Sequence, residues 1–94
     1  MTSQYQDTIA FEALAVAGTA VGFTAATFEG AYEATARVEG AQVRYRTDGT
    51  DPTASVGMVA DPGDVIHVLS SRDLQAIKFI RTGGTATVNA EFVR

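Results

Sequence analysis

The side chains that could support catalysis are few and widely separated along the chain. The 94 residues include no Cys, one His and one Lys. Nucleophilic catalysis needs a nucleophile and a base oriented by a third group, and the only imidazole is that of His67, inside the apolar run 65–69. A lone histidine on a strand more often faces solvent or forms a local hydrogen bond. We therefore expect no catalytic role for His67 and no enzymatic activity.

Four aspartates lie close together in the sequence, and they are the other candidates for chemistry. Paired carboxylates can catalyse hydrolysis, and carboxylate oxygens are ligands that calcium prefers. All four stand in Gly- and Pro-containing turns, where aspartate is favoured because its side chain caps the nearby backbone, and their spacing differs from that of an EF-hand loop. We expect turn-forming residues and no metal or cofactor, with calcium as a minor alternative. The four are Asp48, Asp51, Asp61 and Asp64.

The charge balance argues against two classes of partner. Seven basic residues are scattered among eleven acidic ones, for a net charge of −4, whereas nucleic-acid binding needs clustered Lys and Arg. The uncharged stretch 13–28 is shorter than the about 20 apolar residues of a membrane-spanning helix. Asp7 and Glu12 precede it where a signal peptide would have basic residues. We expect no nucleic-acid partner, no membrane contact and no secretion signal.

Because the chain is short, we expect it to form oligomers. A domain of this length buries only about 60–65% of the surface that its unfolded chain exposes. Without cysteine, no disulfide adds to the small stability margin that results. Contacts with other subunits would bury more surface.

Apolar residues alternate along most of the chain, which is typical of β-strands. Two such runs, 32–38 and 41–47, flank Glu39 and Gly40 and predict a two-residue hairpin turn there. Tyr32 and Tyr45 then lie on the core side. The predicted facing pairs are Val38 with Ala41, Ala36 with Val43, and Ala34 with Tyr45.

A second hairpin is predicted around Gly83 and Gly84, between a strand at 74–81 and the alternating run 85–92. It leaves Ile80 on the outer face, where an apolar side chain is a candidate subunit contact. The predicted core pairs are Ile77 with Ala90 and Phe79 with Val88.

The remaining segments complete the predicted architecture. Residues 8–16 and 19–27 are Ala-rich, but Gly18 and Gly22 disfavour helices and Ile9, Phe11, Val21 and Phe23 alternate as in strands, so we predict strands there. A further strand is predicted at 65–69. About seven short strands predict an all-β fold, a single small antiparallel, Ig-like β-sandwich over residues 8–94. Residues 1–7 are predicted to be either a frayed terminus or an N-terminal arm anchored on a neighbouring subunit through Tyr5.

One motif resembles a known family of domains. The segment 43–53 ends in Asp-Gly-Thr-Asp-Pro-Thr, and the later segment 74–80 contains Ile77-Lys78-Phe79. This pattern resembles chitobiase C-terminal-type β-sandwich domains over residues 43–82. The resemblance implies a sandwich fold and an accessory, non-catalytic role.

The chain as a whole resembles small virion proteins of tailed bacteriophages. The resemblance rests on residues 47–57, on Pro62-Gly63-Asp64 before a strand, and on the run 81–89. It implies a structural virion protein at the capsid surface, made in the host cytoplasm, that binds the major capsid protein of a phage as a decoration or cement protein, with a homotrimer favoured. The expected contacts are Tyr5, Ile80, Asp48, Asp51 and Pro52.

Two alternatives remain open at this point. The first is a tail or neck component of the same particle. The second is a carbohydrate-binding accessory or host-recognition module, which needs exposed aromatic rings beside hydrogen-bonding side chains. With no Trp, and with Tyr32 and Tyr45 assigned to the core, the sequence offers few aromatic side chains for that purpose.

Overall fold

The computed structural model describes residues 7–94, so the predicted arm, including Tyr5, lies outside the described residues apart from Asp7. Asp7 extends the pairing of the first strand, because its N–H donates to the carbonyl of Arg94 and its carbonyl accepts from the N–H of Arg94. The elements are β1 (Thr8–Val16), α1 (Ala25–Phe28), β2 (Glu33–Glu39), β3 (Val43–Arg46), β4 (Met58–Ala60), β5 (Val65–Val68), α2 (Ser71–Ala76), β6 (Lys78–Arg81) and β7 (Ala86–Val93).

The seven strands of the described part form two antiparallel sheets. One sheet has four strands in the order β1-β7-β2-β5, and the other has three in the order β4-β3-β6. Apolar side chains from both sheets form one core. The predicted all-β antiparallel sandwich is therefore confirmed.

The strand order is that of a jelly roll. The pairs are nested, with β1 against β7, Val21 against Phe79 of β6, β2 against β5, and β3 against β4. A jelly roll is one long antiparallel hairpin rolled into two sheets, and here the strand between β1 and β2 is reduced to a single bridge at Val21. In an immunoglobulin-like sandwich the first strand pairs with the second, whereas here β1 pairs with β7. The observed strand order therefore differs from the predicted Ig-like order.

The core follows the alternation seen in the sequence. Successive side chains of a strand point to opposite faces, so every second residue of β2 and β7 is buried. Phe23 links the sheets, with its ring 5.4 Å from that of Phe79 and 5.1 Å from that of Phe92, both in edge-to-face contact. The residues that the alternation correctly placed inside are Ala34, Ala36, Val38, Val43, Ala86, Val88, Ala90 and Phe92.

Both predicted hairpins are wrong, for the same physical reason. The segment 40–42 after β2 leads into β3 of the other sheet, and 82–85 after β6 leads back into β7. An alternating run has the same inward side chains whether the strand that follows it in the sequence lies in the same sheet or in the opposite one, since both sheets face one core. The strands that meet instead are β2 with β7, with Ala36 opposite Ala90, and β3 with β6, with Tyr45 opposite Phe79.

The prediction for 74–81 as one strand is partly wrong. Residues 71–76 form α2, because Ser70 caps its first turn by accepting a hydrogen bond from the N–H of Asp73, and only 78–81 form a strand. Residues 19–27 contain the bridge at Val21 and α1 instead of a full strand.

Two aromatic side chains of the predicted strands are exposed, and one of them, Tyr32, had been predicted to face the core. Phe11 alternates with the buried Leu14 and Val16 along β1, so it lies on the outward face with 58% of its surface exposed. Tyr32 precedes β2 and is 61% exposed. The side chain of Tyr45 is half-buried against the core, in agreement with the prediction.

The strand pairings place the connecting segments at two opposite ends of the sandwich. At the crossover end lie the segments 40–42, 61–64 and 82–85. At the helix end lie α1, α2 and the start of β2, together with Arg94 after β7.

Candidate functional site

The described residues form a cleft of about 780 Å³ at the helix end. It is open to solvent and lies between α1, the turn that follows α1, the start of α2 and Arg94. Clefts of this volume are typical of small-molecule sites.

The wall of the cleft is aromatic. Phe23 and Phe28 line it from the core side, and both rings pack near Phe92, at 5.1 and 6.0 Å between ring centroids. Tyr32 lines it with an exposed ring. The backbone of Tyr32 is fixed, because its N–H donates to the carbonyl of Val93 at 2.9 Å.

Polar side chains complete the lining of the cleft. Ser71 and Gln75 are four residues apart on α2, so they share one face of the helix. Glu29 and Arg94 also line it, and neither side chain has an ion-pair partner within residues 7–94. The cleft thus combines an exposed phenol, an amide, a hydroxyl, a carboxylate and a guanidinium group.

The loop 47–57, which contains the Asp-Gly-Thr-Asp-Pro-Thr motif, is fastened to the outward side of the three-stranded sheet. Arg44 donates from Nη1 to the carbonyl of Gly57 at 2.8 Å and from Nε to that of Ala54 at 3.2 Å. Lys78 lies 3.4 Å from a carboxylate oxygen of Asp51. Together these contacts hold the loop at several points along its length.

Asp48 is part of the same set of contacts. Arg46 donates from Nε to Asp48 Oδ1 at 3.0 Å, and the second guanidinium contact reaches Oδ2. The N–H of Thr50 also donates to Oδ1, at 3.3 Å. These hydrogen bonds lower the pKa of Asp48, the one from Arg46 most, and donating to the Asp48 carboxylate raises the pKa of Arg46.

A third feature is the outward side of β1. This strand lies at the edge of its sheet and has β7 as its one neighbour among the described residues. Phe11, Ala13 and Ala15 are exposed in a row along it. Edge strands of soluble proteins are usually protected from pairing with other chains by Lys, Pro, charges or bulges. β1 has a register shift near Thr8 and an inward charge at Glu12, but its outward side has no charge, Lys or Pro. We call Phe11, Ala13 and Ala15 the β1 row.

The single charged side chain of β1 forms hydrogen bonds within the protein. Glu12 points toward the core side and accepts hydrogen bonds from the N–H and hydroxyl of Thr24, at 2.9 and 2.8 Å. Thr24 is the residue before α1, so the carboxylate caps that helix. The β1 row is therefore free of charge on its outward side.

Four of the candidate contact residues lie on the outward side of the three-stranded sheet. Ile80 is half-buried there beside Arg44, and Asp48, Asp51 and Pro52 belong to the loop fastened over that side, in which Pro52 is buried. Asp48 and Asp51 are held in the ion pairs just described, and Tyr5 lies outside the described residues. Whether any of them contacts a partner stays a prediction.

The residues considered for catalysis also lie apart. His67 is exposed on β5, opposite Thr35. Asp64 accepts a hydrogen bond from the N–H of Asp61 at 2.8 Å, in the turn chemistry expected of these aspartates. Within residues 7–94, no group of three or more His, Asp or Glu is placed to hold a metal ion.

Sequence reasoning missed both the cleft and the β1 row. The sequence signal for the exposure of Tyr32 was its position as the first residue of the alternating run 32–38, one residue before β2 begins. The signal for Phe11 was the odd spacing between it and the buried pair Leu14 and Val16.

Comparison with known proteins identifies no relative, because no family model, curated protein or solved structure matches the chain. The helices of the described part contain four and six residues, and neither has the length to cross a membrane.

Proposed function

We propose that this chain is a structural protein of a phage particle, which binds the assembled capsid as a decoration or cement protein and stabilises it. It acts at the capsid surface of the virion as a homotrimer, its partner is the major capsid protein of the phage, and it catalyses no reaction. A tail or neck position in the particle is a variant of the same role.

The β1 row carries this proposal. A small acidic protein that exposes the apolar, uncharged outward side of an edge strand is at risk of aggregation unless another protein covers that side. A capsid offers many identical sites, so a modest contact at each site adds up over the shell. Phe11 is the largest side chain of the row and the one with most area to bury.

The fastened loop is consistent with a contact role. A segment of 11 residues between β3 and β4 is held by Arg44, Arg46 and Lys78, so little loop ordering has to accompany binding. The jelly roll itself does not separate the candidates, since this fold serves both capsid proteins and lectins.

Cosedimentation tests the proposal. The purified chain is mixed with assembled shells of the major capsid protein encoded in the same genome, and separately with its unassembled subunits. We expect saturable binding to shells, weak binding to subunits, and at least tenfold weaker shell binding for Phe11→Arg. Tyr32→Ala is the matched control, because it removes an equally exposed aromatic side chain from a different surface. Equal binding to subunits and shells, or none to shells, would overturn the proposal.

The second candidate is a carbohydrate-binding or host-recognition module. One observation favours it: the exposed ring of Tyr32 lies in a cleft beside hydrogen-bonding side chains, where the sequence had placed that ring in the core. A glycan array tests this class, with saturable binding expected for a module and none for a purely structural protein.

A further inference from the structure

We propose that the cleft at the helix end is a binding site for one neutral sugar ring, which packs against Tyr32 and exchanges hydrogen bonds with Glu29, Gln75 and Arg94. The site is distinct from the β1 row, so it goes beyond the proposed role on the capsid. A particle-bound protein with such a site would attach the particle to a glycan.

The shape of the cleft suits a single ring. Its volume of about 780 Å³ exceeds what one hexose fills, and its open side leaves room for the next residues of a glycan chain to extend into solvent. The side facing the core is closed by Phe23 and Phe28, which are held in place by their contacts with Phe92. The aromatic side of the site is thus formed before a ligand arrives.

Tyr32 provides the stacking surface. A pyranose has one face of C–H groups that packs on an aromatic ring, and tyrosine adds a hydroxyl for a hydrogen bond. The ring is 61% exposed, although its backbone is bonded to Val93 on the rigid end of β7. Gly30, two residues earlier, has a φ of +86°, which turns the chain from α1 into β2 and brings Tyr32 to the cleft. Because the backbone of Tyr32 is already fixed, little backbone entropy is lost when a ligand covers the ring.

The hydrogen-bonding side chains of the cleft match the hydroxyls of a sugar ring. A sugar hydroxyl both donates and accepts, and the Gln75 amide offers one acceptor and two donors. Ser71 adds a hydroxyl one turn earlier on α2. Glu29 can only accept and Arg94 can only donate, so a ring with several hydroxyls can satisfy both.

The charges favour a neutral ligand over an ion. Glu29 and Arg94 lie in the same cleft, and their formal charges cancel. Neither has an ion-pair partner within residues 7–94, so both are available to a ligand. An anion would gain from Arg94 but would be repelled by Glu29 and by the net charge of −4.

Titration of the isotope-labelled chain, followed by amide NMR, tests the site. The neutral probes are glucose, galactose and N-acetylglucosamine with their disaccharides, and the charged probes are glucuronate and inorganic phosphate. We expect saturable shifts at Tyr32, Ser71 and Gln75 for at least one neutral sugar, with a Kd on the order of 1 mM for the single ring. Glucuronate and phosphate should bind at least tenfold more weakly.

Matched variants separate stacking from folding. Tyr32→Ala should weaken sugar binding at least tenfold, while Tyr32→Phe, which keeps the stacking surface, should weaken it by less than about threefold. Phe11→Ala removes an exposed ring that does not line the cleft and should leave sugar binding unchanged. Thermal unfolding of each variant establishes that the fold is retained.

Three outcomes would overturn the inference. They are the absence of saturable shifts for every neutral sugar, stronger binding of phosphate or glucuronate than of neutral sugars, and equal binding by Tyr32→Ala and the original chain. None of them bears on binding to shells, which depends on Phe11. Conversely, loss of shell binding in Phe11→Arg with normal sugar binding would support both surfaces independently.

Discussion

Gly40 lies against the backbone carbonyl of Thr85: a Cβ placed on Gly40 would be only 2.8 Å from that oxygen. The two residues belong to the two segments that cross between the sheets, and a Cβ on Gly84 would likewise lie 2.9 Å from the Cβ of Ala41. A hydrogen bond from the Thr82 hydroxyl to the Gln42 side chain, at 3.0 Å, joins the same segments. Close approach of the two crossovers therefore fastens the crossover end.

Gly40→Ala is expected to lower the free energy of unfolding by about 2 kcal/mol or more. The φ of Gly40 is +90°, which costs a non-glycine residue about 1 kcal/mol, and the backbone contact with Thr85 adds to that cost. Urea unfolding measures the loss.

Two other glycines serve as controls for that measurement. Gly49 has a φ of +88° with nothing within 4 Å of a Cβ, so Gly49→Ala should show the conformational cost alone, about 1 kcal/mol. Gly83 has open space and no positive φ, so Gly83→Ala should change stability by less than about 0.5 kcal/mol. Equal effects at all three positions would show that the crossovers do not pack as described.

Glu12→Ala is expected to destabilise the chain by about 1 kcal/mol, because two hydrogen bonds to Thr24 are lost and α1 loses its cap. Glu12→Gln keeps one acceptor oxygen and should lose about half as much. Glu91→Ala, on the outward side of the adjacent β7, is the control and should have little effect. Thermal unfolding distinguishes the three, and an unchanged melting temperature for Glu12→Ala would contradict the capping role.

The attachment of the loop 47–57 should depend on pH. The pKa of Asp48 is lowered by Arg46 from its ordinary value of 3.8, so the ion pair stabilises the folded loop at and above that range. The stabilisation by this ion pair is lost as the pH drops through the folded pKa of Asp48. Between pH 5, which is about a unit above the ordinary value, and neutrality, we expect the stabilisation by this pair to stay constant.

Carboxyl NMR measures this dependence directly. The midpoint of Asp48 should lie below the ordinary value, and Arg46→Gln should move it upward by removing the largest cause of the shift. The amide of Thr50, which donates to Asp48, should follow the same midpoint. A midpoint that Arg46→Gln leaves in place would show that the pair does not form in solution.

The sequence was sufficient to predict which face of most strands is buried. In β2 and β7 the alternation of small or polar with apolar residues leaves one choice of inward face, and the structure has that face inside. The inward face follows from the alternation within the strand itself, so its prediction is correct whichever strand lies beside it.

Strand pairing was beyond the same reasoning. Glu39-Gly40 satisfies a hairpin turn and a sheet crossover equally well, since both accept a glycine with positive φ. The deciding contact is with Thr85, more than 40 positions away, and a single sequence does not reveal it. The cleft was missed for a related reason, because the second half of α2 was predicted as part of a strand at 74–81, and α2 brings Ser71 and Gln75 toward Tyr32 only in the folded chain.

The central claim is that this chain reinforces a phage shell through the β1 row, and the temperature at which shells release their contents tests it most directly. Shells saturated with the original chain should rupture at a higher temperature than bare shells, since a ligand that binds only the assembled state stabilises that state. Shells incubated with Phe11→Arg at the same concentration should rupture near the bare-shell temperature, whereas Tyr32→Ala should protect fully. An unchanged rupture temperature with the original chain bound at saturation would contradict the claim.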